Sequence, residues 1–182
     1  MIIEFLANGF EEIEALTPVD VLRRAGLDVR TAAVGGHGLV VTGSHGIPVT
    51  ADLTAEEAAA LDGIDMVILP GGMPGAKNLD ADPTVDAVLE RVYAEGGYLA
   101  AICAAPMVLG RRGYLNGKRA TCFPGFEGEL AGAAYTAGRV EADGRIVTSC
   151  GMGAATEFAL ALVQTLKGGK AAEELRCAIL AK

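Results

Sequence analysis

The chain has 182 residues, of which 51% are hydrophobic and 21% are charged, so it can bury a sizeable core and is not intrinsically disordered. Its 15 Lys and Arg residues against 23 Asp and Glu residues give a net charge of −8, which disfavours binding to nucleic acid or to an anionic membrane surface. This length predicts a single domain over residues 1–182.

Targeting and membrane-spanning patterns are missing from the sequence. The first residues carry no basic leader, and the longest uncharged apolar stretch, residues 98–110, is shorter than the ~18 residues of a membrane span. The four cysteines are far apart and match no zinc-binding spacing. We therefore expect a cytoplasmic protein with reduced thiols, no bound metal and no membrane partner.

In the first part of the chain, apolar runs alternate with helical patterns. In chain order we predict a strand at Ile2–Leu6, a helix at 12–25, a strand at 29–34, two short strands at 39–42 and 47–50, and a helix at 54–61. Thr17-Pro18 predicts a kink or a second helix start capped by Thr17. Thr54, with Glu57 three residues later, has the pattern of a capping box.

The same alternation continues to the end of the chain. We predict a strand at Met66–Leu69, a helix at 82–95, a strand at Tyr98–Ile102, a helix at 105–112, a hairpin turning at Asp143-Gly144, a helix at 154–166, and a last helix from about Ala171. This pattern indicates an α/β fold with a mostly parallel sheet between helices. Functional sites in such folds lie at the carboxyl ends of the strands, here after Leu6, Leu69 and Ile102.

Cys103 directly follows a predicted strand and precedes a helix that Pro106 opens. A strand–nucleophile–helix turn needs small neighbours, and Ala101 and Ala105 provide them. A helix N-terminus favours a thiolate, so this position suits a nucleophile. A buried, inert cysteine is about equally consistent with the local sequence.

Two other segments supply candidate partners for Cys103. Gly71-Gly72 ends the preceding strand, where free backbone N–H groups can bind an oxyanion, although a tight turn alone would explain the glycines. Glu14 lies among apolar residues at the start of the first helix, so burial would raise its pKa toward neutrality and let it exchange protons. Favourable interaction with the helix dipole suffices to explain Glu11 and Glu12.

Other chemistries are weaker candidates. The two histidines, His37 and His45, both precede Cys103, so a cysteine–histidine triad would need one of them to reach it from an early loop. We expect His37 in a surface loop, and the pair matches no metal-ligand spacing. The segment 151–156 resembles part of a dinucleotide fingerprint, but it is incomplete and is better explained by close helix–sheet packing.

Three motifs follow one another along the chain: the segment 11–26 (EEIEALTPVDVLRRAG), the segment 69–72 (LPGG) and the segment 100–106 (AAICAAP). Together and in this order they resemble the ThiJ/PfpI superfamily, and within it the branch of the parkinsonism-associated deglycase. The resemblance covers essentially the whole chain. It implies a flavodoxin-like three-layer sandwich, usually a homodimer, that needs no cofactor.

The resemblance also implies a role for particular residues. Cys103 matches the nucleophilic, oxidisable cysteine, and Glu14 matches the carboxyl group that hydrogen-bonds it. The backbone N–H groups of Gly72 and Ala104 match the oxyanion donors. His45 stands where many members have an arginine, which suggests a position near the partner's pocket in a dimer.

The chain departs from this family at several positions. Phe123 stands where the branch of the parkinsonism-associated deglycase has a histidine. The segment 149–154 reads SCGMGA, where the family usually has SRGPGT. Fewer cations near the pocket argue against strongly anionic substrates. Ala104 stands where the protease-like branch has histidine, which argues against peptidase activity.

The resemblance implies a cysteine-dependent glyoxalase or deglycase acting on 2-oxoaldehydes, such as methylglyoxal and glyoxal, or on their protein and nucleotide adducts. The alternative is a redox-sensing or protein-protective module in which Cys103 is oxidised. Glutamine-amide hydrolysis is disfavoured because no histidine follows Cys103. For the enzyme we expect a Cys103 thiolate near neutral pH, stabilised by the following helix and by a protonated Glu14.

Overall fold

The computed structural model describes residues 1–36 and 38–181. The strands are β1 (Ile2–Leu6), β2 (Val29–Ala33), β3 (Val40–Thr42), β4 (Pro48–Thr50), β5 (Leu53–Thr54), β6 (Met66–Leu69), β7 (Tyr98–Ile102), β8 (Arg119–Ala120), β9 (Ala134–Tyr135), β10 (Val140–Asp143) and β11 (Ile146–Ser149). The α-helices are α1 (Glu12–Arg24), α2 (Ala55–Ala59), α3 (Gly75–Ala81), α4 (Pro83–Ala94), α5 (Pro106–Arg111), α6 (Ala155–Lys167) and α7 (Gly169–Ala178).

Seven strands form one central sheet in the order β10-β11-β7-β6-β1-β2-β5. Every neighbouring pair is parallel except β10 and β11, which form the hairpin predicted at Asp143-Gly144. The inner order β2-β1-β6-β7-β11 follows the flavodoxin-like 2-1-3-4-5 arrangement. The predicted flavodoxin-like α/β sandwich is confirmed.

Successive side chains of β1 are buried on opposite faces of the sheet, because the side chains of a strand alternate between its two sides. Ile3 and Phe5 join a cluster formed with α2 to α5, whereas Ile2 joins a cluster that includes Leu22 of α1 and Phe158 of α6. Burial on both faces explains why β6 and β7 read as continuous apolar runs and why β1 is apolar except at Glu4.

Local patterns located the predicted elements to within a few residues, but the two-residue strands β5, β8 and β9 were not predicted, and two helices differ from expectation. Helix α1 runs continuously through Pro18, so Thr17 does not cap a second helix. A proline inside a helix costs ~3 kcal/mol or more, and the packing of α1 against α6 and the sheet offsets this cost. Helix α3 was not predicted, because Gly75 and Asn78 have low helix propensity.

Within the described ranges 1–36 and 38–181, none of the helices has the combination of length and apolar character needed to cross a lipid bilayer.

Candidate active site

The sheet brings the predicted site residues together at the carboxyl ends of its central strands. Leu69 of β6 lies opposite Ala101 of β7 in a parallel register, so the residues that follow these strands, Gly71 and Cys103, emerge side by side. Helix α1 begins in the loop after β1, the next strand along, and carries Glu14 to the same edge.

Cys103 occupies a backbone conformation that few non-glycine residues adopt, with φ of +65°. Its N–H donates to the carbonyl of Ser149 at 2.9 Å, and its carbonyl accepts from the N–H of Phe123 at 2.8 Å. Such strained positions persist only where surrounding contacts hold them, and they concentrate at functional sites. The turn after β7 therefore holds the Cys103 side chain at the strand end, as the nucleophile-turn pattern predicts.

The glycines after β6 are needed for close approach. A Cβ at Gly71 would lie 2.6 Å from the Cys103 Cβ and would also collide with the Glu14 carboxyl. A Cβ at Gly72, where φ is +87°, would lie 2.6 Å from the carbonyl oxygen of Gly9. With no side chain in the way, the N–H groups of Gly72 and Ala104 both donate to the Cys103 sulfur. The same two N–H groups are predicted from the sequence as oxyanion donors, and this role stays a prediction.

Glu14 is almost fully buried, with 1% of its surface exposed. Its Oε2 accepts from the N–H of Gly71 at 3.1 Å, and its carboxyl also accepts from the Met152 N–H and the Cys103 thiol. Burial, and then the negative charge of Glu11, raise the pKa of Glu14 to about 7, against the effect of these hydrogen bonds. A pKa near 7 lets the carboxyl exchange protons near neutral pH, which is the role expected from the sequence.

The structure differs from the expectation of a thiolate with a lowered pKa. Burial raises the pKa of the Cys103 thiol to about 12, and the negative charge of Glu14 adds to the effect, whereas the Gly72 and Ala104 N–H groups lower it. Helix α5 has only six residues, so its N-terminus adds little beyond the Ala104 N–H. Cys103 and Glu14 form a coupled pair that holds one proton above pH about 7.

The two other acidic residues of the first turn have different roles. Glu11 caps α1, because its Oε2 accepts from the N–H of Glu14 at 2.7 Å. Glu12 binds His45, whose backbone N–H and ring Nδ1 lie 2.8 and 2.7 Å from the carboxylate oxygens. Burial acts to raise the pKa of Glu12, but the contacts with His45 hold this pKa down to about 2. The same contacts raise the pKa of His45.

Among the described residues, one cluster has the residue types of a metal site, namely Glu11, Glu12 and His45. Each member already has a partner within the protein, so the cluster is satisfied without an ion. His45 is linked to α1 through Glu12, and among the described residues no hydrogen bond or ion pair joins it to Cys103. His37 lies outside the described residues.

Sequence reasoning missed the contribution of the loop after β11. The Met152 N–H of this loop bonds to Glu14, and the carbonyl of Ser149, at the end of β11, accepts from Cys103. From the sequence, this segment, residues 151–156, is interpreted as small residues for close packing, without a contact to Glu14. Its glycines were the available signal, since Gly151 has a φ of +149° that other residues rarely adopt.

Comparisons with known proteins find relatives that cover most of the chain. The chain is 37% identical over 180 residues to the Parkinson disease protein 7 homolog of Danio rerio, covering 97% of this chain and 95% of that one. It is 35% identical over 160 residues to a glutathione-independent glyoxalase of Caenorhabditis elegans, covering 87% and 83%. The crystal structure of a cysteine-to-alanine mutant of a DJ-1 superfamily protein from Salmonella typhimurium superposes with a TM-score of 0.93 at 35% identity, covering 100% and 98%.

The family model described as DJ-1/PfpI matches residues 2–165, a range that contains β1, the turn carrying Cys103 and the loop after β11. With these relatives covering nearly the full length, the chain belongs to the DJ-1/PfpI family.

Proposed function

We propose that the protein is a cysteine-dependent, cofactor-independent enzyme that converts 2-oxoaldehydes such as methylglyoxal and glyoxal, or their adducts, to hydroxyacids or repaired amines. The observation that carries the proposal is the Cys103–Glu14 pair with two backbone N–H groups directed at its sulfur. Nucleophile, proton carrier and oxyanion donors are the parts that addition to an aldehyde requires. The glyoxalase among the relatives gives independent support for this reaction class.

In the proposed first step, the Cys103 sulfur attacks the aldehyde carbon. Because the thiol pKa is raised, its proton passes to the Glu14 carboxylate as the C–S bond forms. The N–H groups of Gly72 and Ala104 hold the developing oxyanion. Glu14 then gives the proton to that oxygen, which produces a neutral hemithioacetal and restores the carboxylate.

In the second step, the Glu14 carboxylate removes the proton from the former aldehyde carbon and returns it to the neighbouring carbon. The hydroxyl proton of the hemithioacetal passes, also through Glu14, to the oxygen on that neighbouring carbon. This isomerisation turns the hemithioacetal into a thioester of Cys103, with no net gain or loss of electrons. Water then attacks the thioester, the hydroxyacid leaves, and a proton from water returns to the cysteine sulfur.

The pH dependence of the reaction follows from the coupled pair. Attack needs the pair to hold one proton, and this form accumulates as the pH rises through about 7, where Glu14 loses its proton. The value of kcat/KM should therefore rise with pH through this region, since it reports the ionisations of the free enzyme.

The direct test is conversion of methylglyoxal to lactate without glutathione or added metal. Cys103→Ala should abolish turnover. Glu14→Gln should lose proton transfer, lowering kcat/KM by ~10²–10⁴-fold and removing the rise near pH 7. A Glu14→Gln variant as active as the parent would show that the carboxyl does not carry the proton.

The same experiment addresses the alternative of a redox-sensing or protective module. Undetectable turnover together with stoichiometric oxidation of Cys103 would favour that function, because the donors that stabilise an oxyanion also stabilise a sulfinate. All four cysteines are free thiols. This suits the reducing cytoplasm, where we propose that the protein acts.

A further inference from the structure

An apolar cavity lies beside the proposed reacting pair and has no role in the mechanism above. Its volume is about 320 Å³. Its walls come from the loop after β8, the β9 region and the loop after β11. The side chains that shape it most are Phe123, Pro124, Tyr135, Cys150 and Met152.

Two of the residues that line this cavity also bond to the residues of the candidate active site. The N–H of Phe123 donates to the Cys103 carbonyl, and the N–H of Met152 donates to Glu14. A Cβ added at Gly151 would lie 3.2 Å from the Phe123 ring and 3.7 Å from the Glu14 Oε1. The cavity thus begins within about one side-chain length of the groups proposed to react.

Three large apolar side chains around the cavity are exposed to solvent. Phe123 is 48% exposed, Met152 is 55% exposed and Tyr135 is 38% exposed. Single exposed apolar residues are ordinary, but a group of them lining one concavity beside polar reacting groups is typical of a binding site.

The charges around the cavity disfavour an anionic occupant. Arg139 lines it, but its Nε donates to Glu157 at 2.7 Å and its Nη2 donates to the Gly153 carbonyl, so its charge is already paired. Burial, and then the negative charge of Glu127, raise the pKa of the Cys122 thiol to about 11. Among the described residues, the cavity therefore presents no unpaired cation and is close to an acidic group.

We propose that this cavity is the substrate subsite that receives an uncharged apolar substituent of the 2-oxoaldehyde, so that the enzyme prefers branched alkyl or aryl glyoxals to methylglyoxal and rejects carboxylate-bearing ones. The inference rests on the proposed function and specifies its substrate class. An engineered apolar cavity of about 150 Å³ accommodates benzene, so a cavity of about 320 Å³ accepts a branched alkyl chain or a phenyl ring.

The test compares three substrates that share one reacting group. 4-Methyl-2-oxopentanal adds an apolar branch to methylglyoxal, and 4,5-dioxopentanoate adds a carboxylate at similar length; each takes up one water to give its 2-hydroxyacid. We expect kcat/KM for the branched aldehyde to exceed that for methylglyoxal by at least ~10-fold, since apolar contacts discriminate by about 10–200-fold per methylene. The carboxylate should give the lowest value. Equal values for the apolar and carboxylate substrates would overturn the proposal.

Variants then locate the preference in the cavity. Phe123→Ser and Tyr135→Ser should each lower the ratio of kcat/KM for the branched aldehyde over methylglyoxal. Val40→Ser, which changes an exposed apolar side chain on the β3–β4 hairpin, should keep the parent ratio. If both cavity variants kept the kcat/KM ratio of the parent protein, the assignment of the cavity as the substrate subsite would be contradicted.

A binding measurement separates this proposal from the reaction itself. With Cys103→Ala protein and the unreactive ketone 4-methylpentan-2-one, which keeps the branched chain and lacks the aldehyde, the methyl resonance of Met152, identified with Met152→Leu, should shift on titration. If it shifts and turnover is absent, the subsite stands and the proposed reaction fails. If it does not shift, the subsite proposal fails even if methylglyoxal is turned over.

Discussion

Glu4 is the residue whose substitution should change stability in the most informative way. It lies in the middle of β1, between Thr31 of β2 and Ile68 of β6, and it is completely buried. Neither carboxyl oxygen has a hydrogen-bond partner among the described residues. Burial raises its pKa well above the usual 4.5, although the positive charge of Arg23 acts in the opposite direction. The folded protein therefore holds Glu4 in its neutral, protonated form at pH values where the unfolded chain ionises it.

The sign of the pH dependence follows from this difference in proton binding. Above pH 4.5 the unfolded state loses the Glu4 proton while the folded state keeps it, so the contribution of Glu4 to stability falls as the pH rises. The slope is at most about 1.4 kcal/mol per pH unit, so the change between pH 5 and pH 7 is at most about 3 kcal/mol. Glu4→Gln removes this ionisation. Glu4→Leu also removes the unpaired polar atoms, which cost ~1–3 kcal/mol when buried.

The assay is urea unfolding of the parent, Glu4→Gln and Glu4→Leu at one protein concentration between pH 5 and pH 8. As the pH rises, the free energy of unfolding of Glu4→Gln should increase relative to that of the parent. At pH 7, Glu4→Leu should be the most stable of the three proteins. Glu56→Gln, at an exposed position of α2, is the matched control and should keep a constant difference from the parent. A difference between Glu4→Gln and the parent that does not change with pH would refute the reasoning.

Three further predictions concern the site and the assembly. Glu14→Gln should lower the Cys103 pKa from about 12, because the charge and hydrogen bond of Glu14 help to raise it. The pH profile of Cys103 alkylation, followed by mass spectrometry, measures the Cys103 pKa. An unchanged profile would contradict the coupling between Glu14 and Cys103. We propose a homodimer through the outer face of α1, where Ile13 is 49% and Leu16 is 38% exposed. Ile13→Glu should raise the dissociation constant of the dimer by ~10-fold or more, measured by light scattering. A parent protein that is monomeric at micromolar concentration would contradict the proposed homodimer. Treatment with a chelator should leave turnover unchanged, and a loss of activity restored by one metal would show that Glu11, Glu12 and His45 or another cluster binds it.

Several features of this protein were predictable from the sequence because they depend on short-range spacing. The apolar runs of β6 and β7 indicate strands buried on both faces, and the structure has both strands at the predicted residues. The Thr54 and Glu57 pattern forms the capping box at α2. The small residues around Cys103 indicate a turn at a strand end. Each of these depends on local sterics and hydrogen bonds between near neighbours in the chain.

Tertiary structure alone decided which charged groups are paired, buried or coupled. The sequence set Glu14 apart by its apolar neighbours but gave no different roles to Glu11 and Glu12. The direction of α1 relative to β6 and β7 makes Glu11 a cap, pairs Glu12 with His45 and sets Glu14 against Cys103. The same packing buries Glu4 and raises the Cys103 pKa, which short-range reasoning expected to be low. Local spacing determines helices, strands and turns, whereas a pKa depends on desolvation and on charges that approach only when distant segments pack together.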